Sequence, residues 1–424
     1  MVRLTRSRMH SRVLWSLGSQ ALSSATSFIP LFLVLHFEAP ATVGAFGLAY
    51  TTYFFLVSVV RGLALEPLVV RFSGGPPDEL RSESSRAVGL ALATSVALGV
   101  PTAVGFAFVD GAIGHLFVAL GLVLPLLLLN DALRHVFFAS GLPKGACLND
   151  GLFLITEIAL LICVATGRDL DAATLIVSWG AAGGIAAGTA MWRLRLQPAV
   201  TQAGRWLADQ RDLGLAFAAD HAVARGAEQA AFVITGALGG LATLGAVSAC
   251  RTMFAPISTV QAGVNAFALP EASRLVREGR LTDWRHLVLS VAVAVGILMA
   301  ATGALLGLLP ESWGTALFHE NWEPLREVLF PTTVSLVLNG IAFSLWLGMR
   351  SRHYARATFV ARASAGLLTV AAVAVGTSTG EASGATWGLA IGSGYLCLFF
   401  SYYLFGRSTD DLDRTQGQSD PMRS

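Results

Sequence analysis

The residues best placed to do chemistry lie in one apolar run, GLAFAADHAVARGAEQAAFVITG (214–236), which carries Asp220, His221, Arg225 and Glu228 within nine positions. On a helix, His221, Arg225 and Glu228 follow i, i+4, i+7 and share a stripe; Asp220 lies about 100° round the axis. A guanidinium offers a planar fork of donors that suits phosphate, so Arg225 is a candidate anion receptor. Carboxylates such as Asp220 and Glu228 can exchange a proton or hold a cation and so couple movement to an ion gradient. Two plainer readings stand beside these. Arg225 and Glu228 can pair at i, i+3 and simply hold helices together, and His221 can be a satisfied interior histidine.

The surroundings decide what such a stripe means. The chain is 54% hydrophobic and 13% charged, with mean hydropathy +0.63, whereas soluble domains carry about 25% charged residues. This is the composition of a polytopic membrane protein. A charge at the bilayer centre costs roughly 2.5–3.5 kcal/mol on insertion scales, so four ionisable residues there must face a protein interior or a water-filled cavity. Apolar segments near 13–37, 43–70, 87–108, 112–138, 143–166, 171–192, 213–237, 241–268, 286–309, 324–348, 354–376 and 383–406 read as twelve transmembrane helices. The basic residues orient them. With the N-terminus inside, the inside segments hold 22 Arg and Lys residues and the outside loops hold Arg168 and Arg326. That asymmetry predicts both termini in the cytoplasm of a multi-pass cell-membrane protein.

Five arginines fall within the spans: Arg61, Arg134, Arg225, Arg251 and Arg362. Arg134 has Asp131 three residues before it, which reads as a local pair rather than a site. Asp150 and Glu157 on the fifth span are similar doubtful cases. Arg61 and Arg251 can pair or reach toward the interface.

The chain also repeats itself. Ala-Thr-x-Gly-Ala occurs at 41–45 and 242–246, an offset of 201. Pro67-x-x-x-Arg71 matches Pro270-x-x-x-Arg274, and the W-G-x-x-x-G of Trp179–Gly184 matches that of Trp387–Gly392. The offset grows slowly and in order, as loop insertions would make it. Six spans per half give both halves the same direction, a parallel repeat about the membrane normal, whose sites are expected between the halves. The expected layout is a six-helix lobe over 1–192, a cytoplasmic linker over 193–212, a second six-helix lobe over 213–406 and a polar tail over 407–424. At the offset of 201, Ser19, Gln20, Ser24 and Ser27 fall on Asp220, His221, Arg225 and Glu228, and Tyr50 falls on Arg251. The simplest picture is a cavity with spans one and seven facing each other across it. The expected substrate-binding residues are Arg225, Arg251, Gln20, Ser24 and His221, with Asp220 and Glu228 coupling an ion. Glycines at four-residue spacing, Gly180, Gly184 and Gly188 and Gly384, Gly388 and Gly392, read as close helix packing.

Two long stretches, FEAPATVGAFGLAYTTYFFLVSVVRGLALEPLVVRF and ITGALGGLATLGAVSACRTMFAPISTVQAGVNAFALPEASRL, resemble the opening helix pairs of the two halves of prokaryotic polysaccharide and oligosaccharide flippases. NDALRHVFFASGLPKGACLNDGLF (130–153) is similar to their fourth and fifth helices. These flippases share a superfamily with multidrug and toxin extrusion antiporters and lipid II flippases. The resemblance covers nearly the whole chain through diffuse motifs. It implies two six-helix lobes, alternating access, and movement of an undecaprenyl-pyrophosphate-linked glycan from the inner to the outer leaflet. It also implies cavity cations for the pyrophosphate, at Arg225 and Arg251 here, and a coupling proton or sodium ion. Asp220 and Glu228 dilute the positive charge, so an antiporter of cationic drugs or metabolites on the same fold stays open. No cofactor, metal site, disulfide framework or nucleic-acid partner is expected. The four cysteines show no C-x-x-C spacing, HENWE lacks the second His of a metalloprotease helix, and no phosphate-cradling glycine loop is present. An enzyme is not expected.

Overall fold

Hydrocarbon offers no partner to a backbone N–H or C=O, so long Ala-, Leu- and Val-rich runs satisfy these groups within themselves as helices. The computed structural model describes residues 2–166, 171–352 and 354–406, with backbone alone at 2–10, 12, 13, 259, 262, 265–267 and 355. The tail 407–424 and Arg168 therefore lie outside the described residues. Among those described, the protein is all-α, and ten helical stretches are long and apolar enough to cross a membrane. The first half comprises α1 (Val2–Phe37), α2 (Pro40–Val60), α3 (Glu66–Phe72), α4 (Pro77–Phe106), α5 (Ala112–Ala139), α6 (Pro143–Ala165) and α7 (Ala172–Leu194). A π-helical turn, Arg61–Leu65, joins α2 to α3 into one span. Proline opens α2, α4 and α6 in the first turn, where its missing N–H costs nothing. The rest comprises α8 (Ala203–Asp209), α9 (Arg211–Met253), α10 (Ala255–Arg277), α11 (Leu281–Gly307), α12 (Glu311–Phe318), α13 (Trp322–Ser351) and α14 (Ala355–Ser401).

Two of these helices fold back on themselves. In α9, Gly240 adopts φ 82°, ψ 171°, a conformation essentially reserved for glycine. The chain reverses there, so Arg251 returns beside Glu228. In α14 the break is at Gly380 and Glu381. Across it Gly376 meets Gly384, Gly388 meets Val373, Gly392 meets Thr369, and Ser364 hydrogen-bonds Tyr395 at 3.0 Å. Both breaks fall where the sequence places a loop between spans, which is consistent with the twelve-span reading.

Contacts divide the chain into two compact units. The first is Met1–Thr259 with Pro310–Glu327; the second is Val260–Leu309 with Val328–Ser424. In the first unit α2 packs on both arms of α9, and the repeated motif makes the contact. A side chain at Gly44 would strike the carbonyl oxygen of Leu241, and one at Gly245 would strike that of Pro40. Pro40 and Leu241 are 201 apart, as are Gly44 and Gly245. Gly47 abuts Ser248 at the same offset. The two copies therefore touch reciprocally, as a local two-fold requires. Glycine is needed here because the opposing atoms are backbone and cannot move aside.

The linker after α7 is docked, not slack. Its chain leaves α7 through Arg195 in the left-handed conformation, with Leu196 N–H bonding back to Met191 O. Ala199 N–H donates to Ser85 O at 2.9 Å, and Trp206 is fully buried against Phe72. Arg71 then donates to Gln210 Oε1 at 2.6 Å and Asp212 Oδ2 at 2.5 Å. At the opposite end of the unit, Asn321 is buried and donates to Leu35 O and Glu38 O at 3.0 and 2.8 Å. This clasps the segment after α12 onto the end of α1. The second unit is built on Trp284, Val288, Leu345, Met349, Phe400 and Leu404, with Gly303 of α11 set against Thr333 of α13.

The glycine pair gives the first prediction. Gly44→Val or Gly245→Val should destabilise the protein by about 1–3 kcal/mol or more, read as a lower midpoint in thermal unfolding and a smaller folded yield. Gly105→Ala, where nothing lies within 4 Å of the added methyl, should leave both unchanged. Equal behaviour of all three would show that the contact is not tight.

Candidate substrate and ion site

The first arm of α9 carries the stripe legible in the sequence. It lies along α2 and the π-turn: Gly62 meets Phe217, Ala218 and His221, and Gly214 meets the Leu63 carbonyl. Gln229 donates to Thr52 Oγ1 at 2.7 Å. Its immediate neighbour is thus α2. Glu228 accepts from Arg225 Nη1 at 3.1 Å and also from Arg251 Nη2. Two guanidiniums share one carboxylate, so the trio keeps an excess positive charge. The Arg225 side chain is 55% exposed and that of Arg251 24%. The Arg251 guanidinium also stacks 5.6 Å from the Phe232 ring centre, a cation–π contact that orients a charge without cancelling it.

A second polar region is built from α1, α5, α6 and the π-turn. Arg61 forks onto Asp131, donating from Nε at 2.8 Å and Nη2 at 2.5 Å. His135 Nδ1 bonds the Asp131 carbonyl at 2.9 Å. One turn on, Arg134 Nε donates to Asp150 Oδ2 at 3.0 Å, and the same oxygen accepts from Ser19 at 2.5 Å. Arg134 Nη2 reaches Gln20 Oε1 at 3.2 Å, and Asn149 donates to Asn130 Oδ1 at 2.9 Å. The geometry follows from helical period. Asn130 and Arg134 are one turn apart and both face α6, while Asp131 is turned toward the π-turn. Seven residues beyond Asp150, on the same face of α6, Glu157 is fully buried, and neither of its carboxyl oxygens has a hydrogen-bond partner among the described residues.

The structure thus sorts the residues singled out in the sequence into separate groups. Arg225, Arg251 and Glu228 meet. His221 instead bonds Glu66 Oε1 through Nε2 at 2.8 Å, and Gln20 belongs with Arg134. Ser24 and Asp220 are half-buried on α1 and α9. The local Asp131–Arg134 pair is corrected: each reaches a different helix, because positions i and i+3 here flank two separate grooves. Glu157 is the residue the sequence reading undervalued. The available signal was a carboxylate in an apolar run with no basic residue one turn away.

No protein-family model matches the chain. No curated protein matches it. Among solved structures the fold is plainly matched. An inward-facing multidrug resistance MATE family transporter of the MOP superfamily aligns at TM-score 0.67 with 12% identity over 96% of both chains. The lipid II flippase MurJ, in an inward closed conformation, aligns at TM-score 0.71 with 11% identity over 92% of this chain and 87% of its own. A MOP superfamily transporter from Pyrococcus furiosus, described for the reverse polarity of its binding pocket, aligns at TM-score 0.60 with 12% identity over 93% and 94%. The protein therefore has the fold shared by the MATE and MurJ members of the MOP superfamily.

The buried pair gives the second prediction. Arg134 and Asp150 have side chains 10% and 1% exposed, so removing one charge strands the other. Asp150→Ala should cost about 3–5 kcal/mol, and the double variant Asp150→Ala with Arg134→Met should recover much of it. A double-mutant cycle with no coupling between them would refute the pairing.

Proposed function

We propose that the protein is an alternating-access transporter that flips a lipid-linked oligosaccharide or polysaccharide precursor across the cell membrane. The observation that carries this reading is the Arg225–Glu228–Arg251 trio. Two guanidiniums held by one carboxylate retain unused donors, and Arg225 is open to an incoming ligand. A pyrophosphate would replace Glu228 as the acceptor for Arg225, with Arg251 held ready on Phe232. Gln20, Ser24 and His221 would line the glycan's path. Fold supports the reading as well, since one structural match is a lipid II flippase.

Ion coupling belongs in the same proposal. Glu228 and Asp220 would respond to substrate, Glu228 by releasing Arg225. Glu157 would carry the coupling proton or sodium ion, because a buried carboxylate lacking donors needs a positive partner. Opening to the far side would require the Asn321 clasp on α1 to part. A cation-coupled drug or metabolite antiporter is the second reading. Glu157 favours it, as does the likeness to a multidrug resistance transporter.

The test is reconstitution in proteoliposomes with labelled lipid-linked oligosaccharide, scoring its arrival in the outer leaflet. Arg225→Ala and Arg251→Ala should each reduce flipping at least tenfold while the melting midpoint stays within a degree or two. Glu157→Gln should remove the dependence of transport on the ion gradient. Full flipping by both arginine variants would sink the anion-receptor assignment. Export of a cationic dye against protons, with no movement of the lipid-linked sugar, would transfer the conclusion to the antiporter.

A further inference from the structure

At one end of the second unit, four elements converge: the start of α11, the end of α13, the start of α14 and the π-helical turn Tyr402–Gly406 that follows α14. Trp284 Nε1 donates to Ser351 Oγ at 2.9 Å and ties α11 to α13. Guanidiniums stack on aromatic rings throughout this end. Arg350 and Arg362 lie 4.9 and 4.7 Å from the centre of the same Trp346 ring. Arg352 lies 5.4 Å from Trp284 and 5.3 Å from Tyr354, and Arg285 lies 6.0 Å from Phe405.

Among the described residues, three of these charges, those of Arg285, Arg350 and Arg352, have little to neutralise them. From Val328 to Gly380 the chain has four arginines and no Asp or Glu. Arg285, Arg350 and Arg352 form no ion pair with a carboxylate among the described residues. The neighbouring arginines around the α10–α11 connection behave differently. Arg274 donates to Glu271 at 2.5 Å and Glu278 at 2.8 Å, and Arg280 donates to Asp283 at 2.8 Å. One set is satisfied locally; Arg285, Arg350 and Arg352 are held on aromatic rings with no carboxylate partner among the described residues.

We propose that this end of the second unit is a binding site for the phosphate headgroup of an anionic phospholipid. A guanidinium stacked on a ring keeps its N–H edge available for a phosphodiester, which it can grip with two bonds. Stacking also removes rotamer freedom in advance, so little order is lost on binding. Apolar side chains flank the cluster where acyl chains would run: Phe359 and Val360 at the start of α14, Leu398 near its end and Tyr402 in the π-turn, all strongly exposed. That rim selects a lipid over a free anion. None of its residues belongs to the α9 trio, and the proposal does not depend on which substrate the protein carries.

The experiment uses full-length protein stripped of lipid in detergent and melted with phosphatidylglycerol, phosphatidylcholine or inorganic phosphate. Phosphatidylglycerol should raise the midpoint by several degrees, and the other two should leave it nearly unchanged. The double variant Arg350→Gln, Arg352→Gln should lose most of that shift, while Arg274→Gln, Arg280→Gln keeps it. Because the first variant could fail to fold, Arg350→Lys, Arg352→Lys preserves the charge and is read by native mass spectrometry. It should retain several-fold less phosphatidylglycerol than the wild type. Equal stabilisation by phosphatidylcholine, an equal effect of phosphate alone, or undiminished lipid on the lysine variant would each overturn the site.

Discussion

A charge held away from water is costly unless an opposite charge meets it, and in the first unit several buried charges meet theirs on a neighbouring helix. This requirement organises the first unit. Arg61 and Asp131 tie the π-turn to α5; Arg134, Asp150 and Ser19 tie α5 to α6 and α1; His221 and Glu66 tie α9 to the α2–α3 span. Each bond crosses between helices that van der Waals packing alone could set in several registers. The ionic contacts choose one register, and the small residues then let the backbones close to it.

Tight packing and the charged trio depend on each other. Gly44 and Gly245 bring α2 against the second arm of α9, and Gly240 reverses α9 so that this arm returns alongside the first. Arg251 reaches Glu228 only because of that reversal. The repeat thus supplies a near-symmetric frame, and the substitution of Arg251 for the counterpart of Tyr50 supplies an asymmetric charge within it. Tyr50 itself donates to the Ser27 carbonyl at 3.1 Å, an arrangement without a charge in the first half.

Three kinds of polar residue can be separated on this basis. Arg134 and Asp150 are saturated and buried, which suits a structural pair. Arg225 is paired but exposed, and its excess charge suits a ligand that comes and goes. Glu157 is buried and without a hydrogen-bond partner among the described residues, which suits a group whose charge state or occupancy changes. The proposed function rests on how these three kinds are distributed over a fold shared with MATE and MurJ structures.

Some of this was fixed by residue order alone. Hydropathy gave apolar spans that are helical in the structure, and the spacing of Ala-Thr-x-Gly-Ala gave the offset at which α2 and α9 touch, because these are properties of short segments and of the solvent around them. The α9 stripe was legible for the same reason: i, i+4, i+7 is local geometry. Partnership across helices was not. Asp131 and Arg134 look like a pair in sequence and yet bond to different helices, and Gln20 aligns with His221 but bonds Arg134. Tertiary structure decided these, since a side chain on a helix can turn toward any of several neighbours and the choice depends on how closely each backbone approaches. The state of Glu157 belongs to the same class: that no donor among the described residues reaches it depends on the helices packed around it.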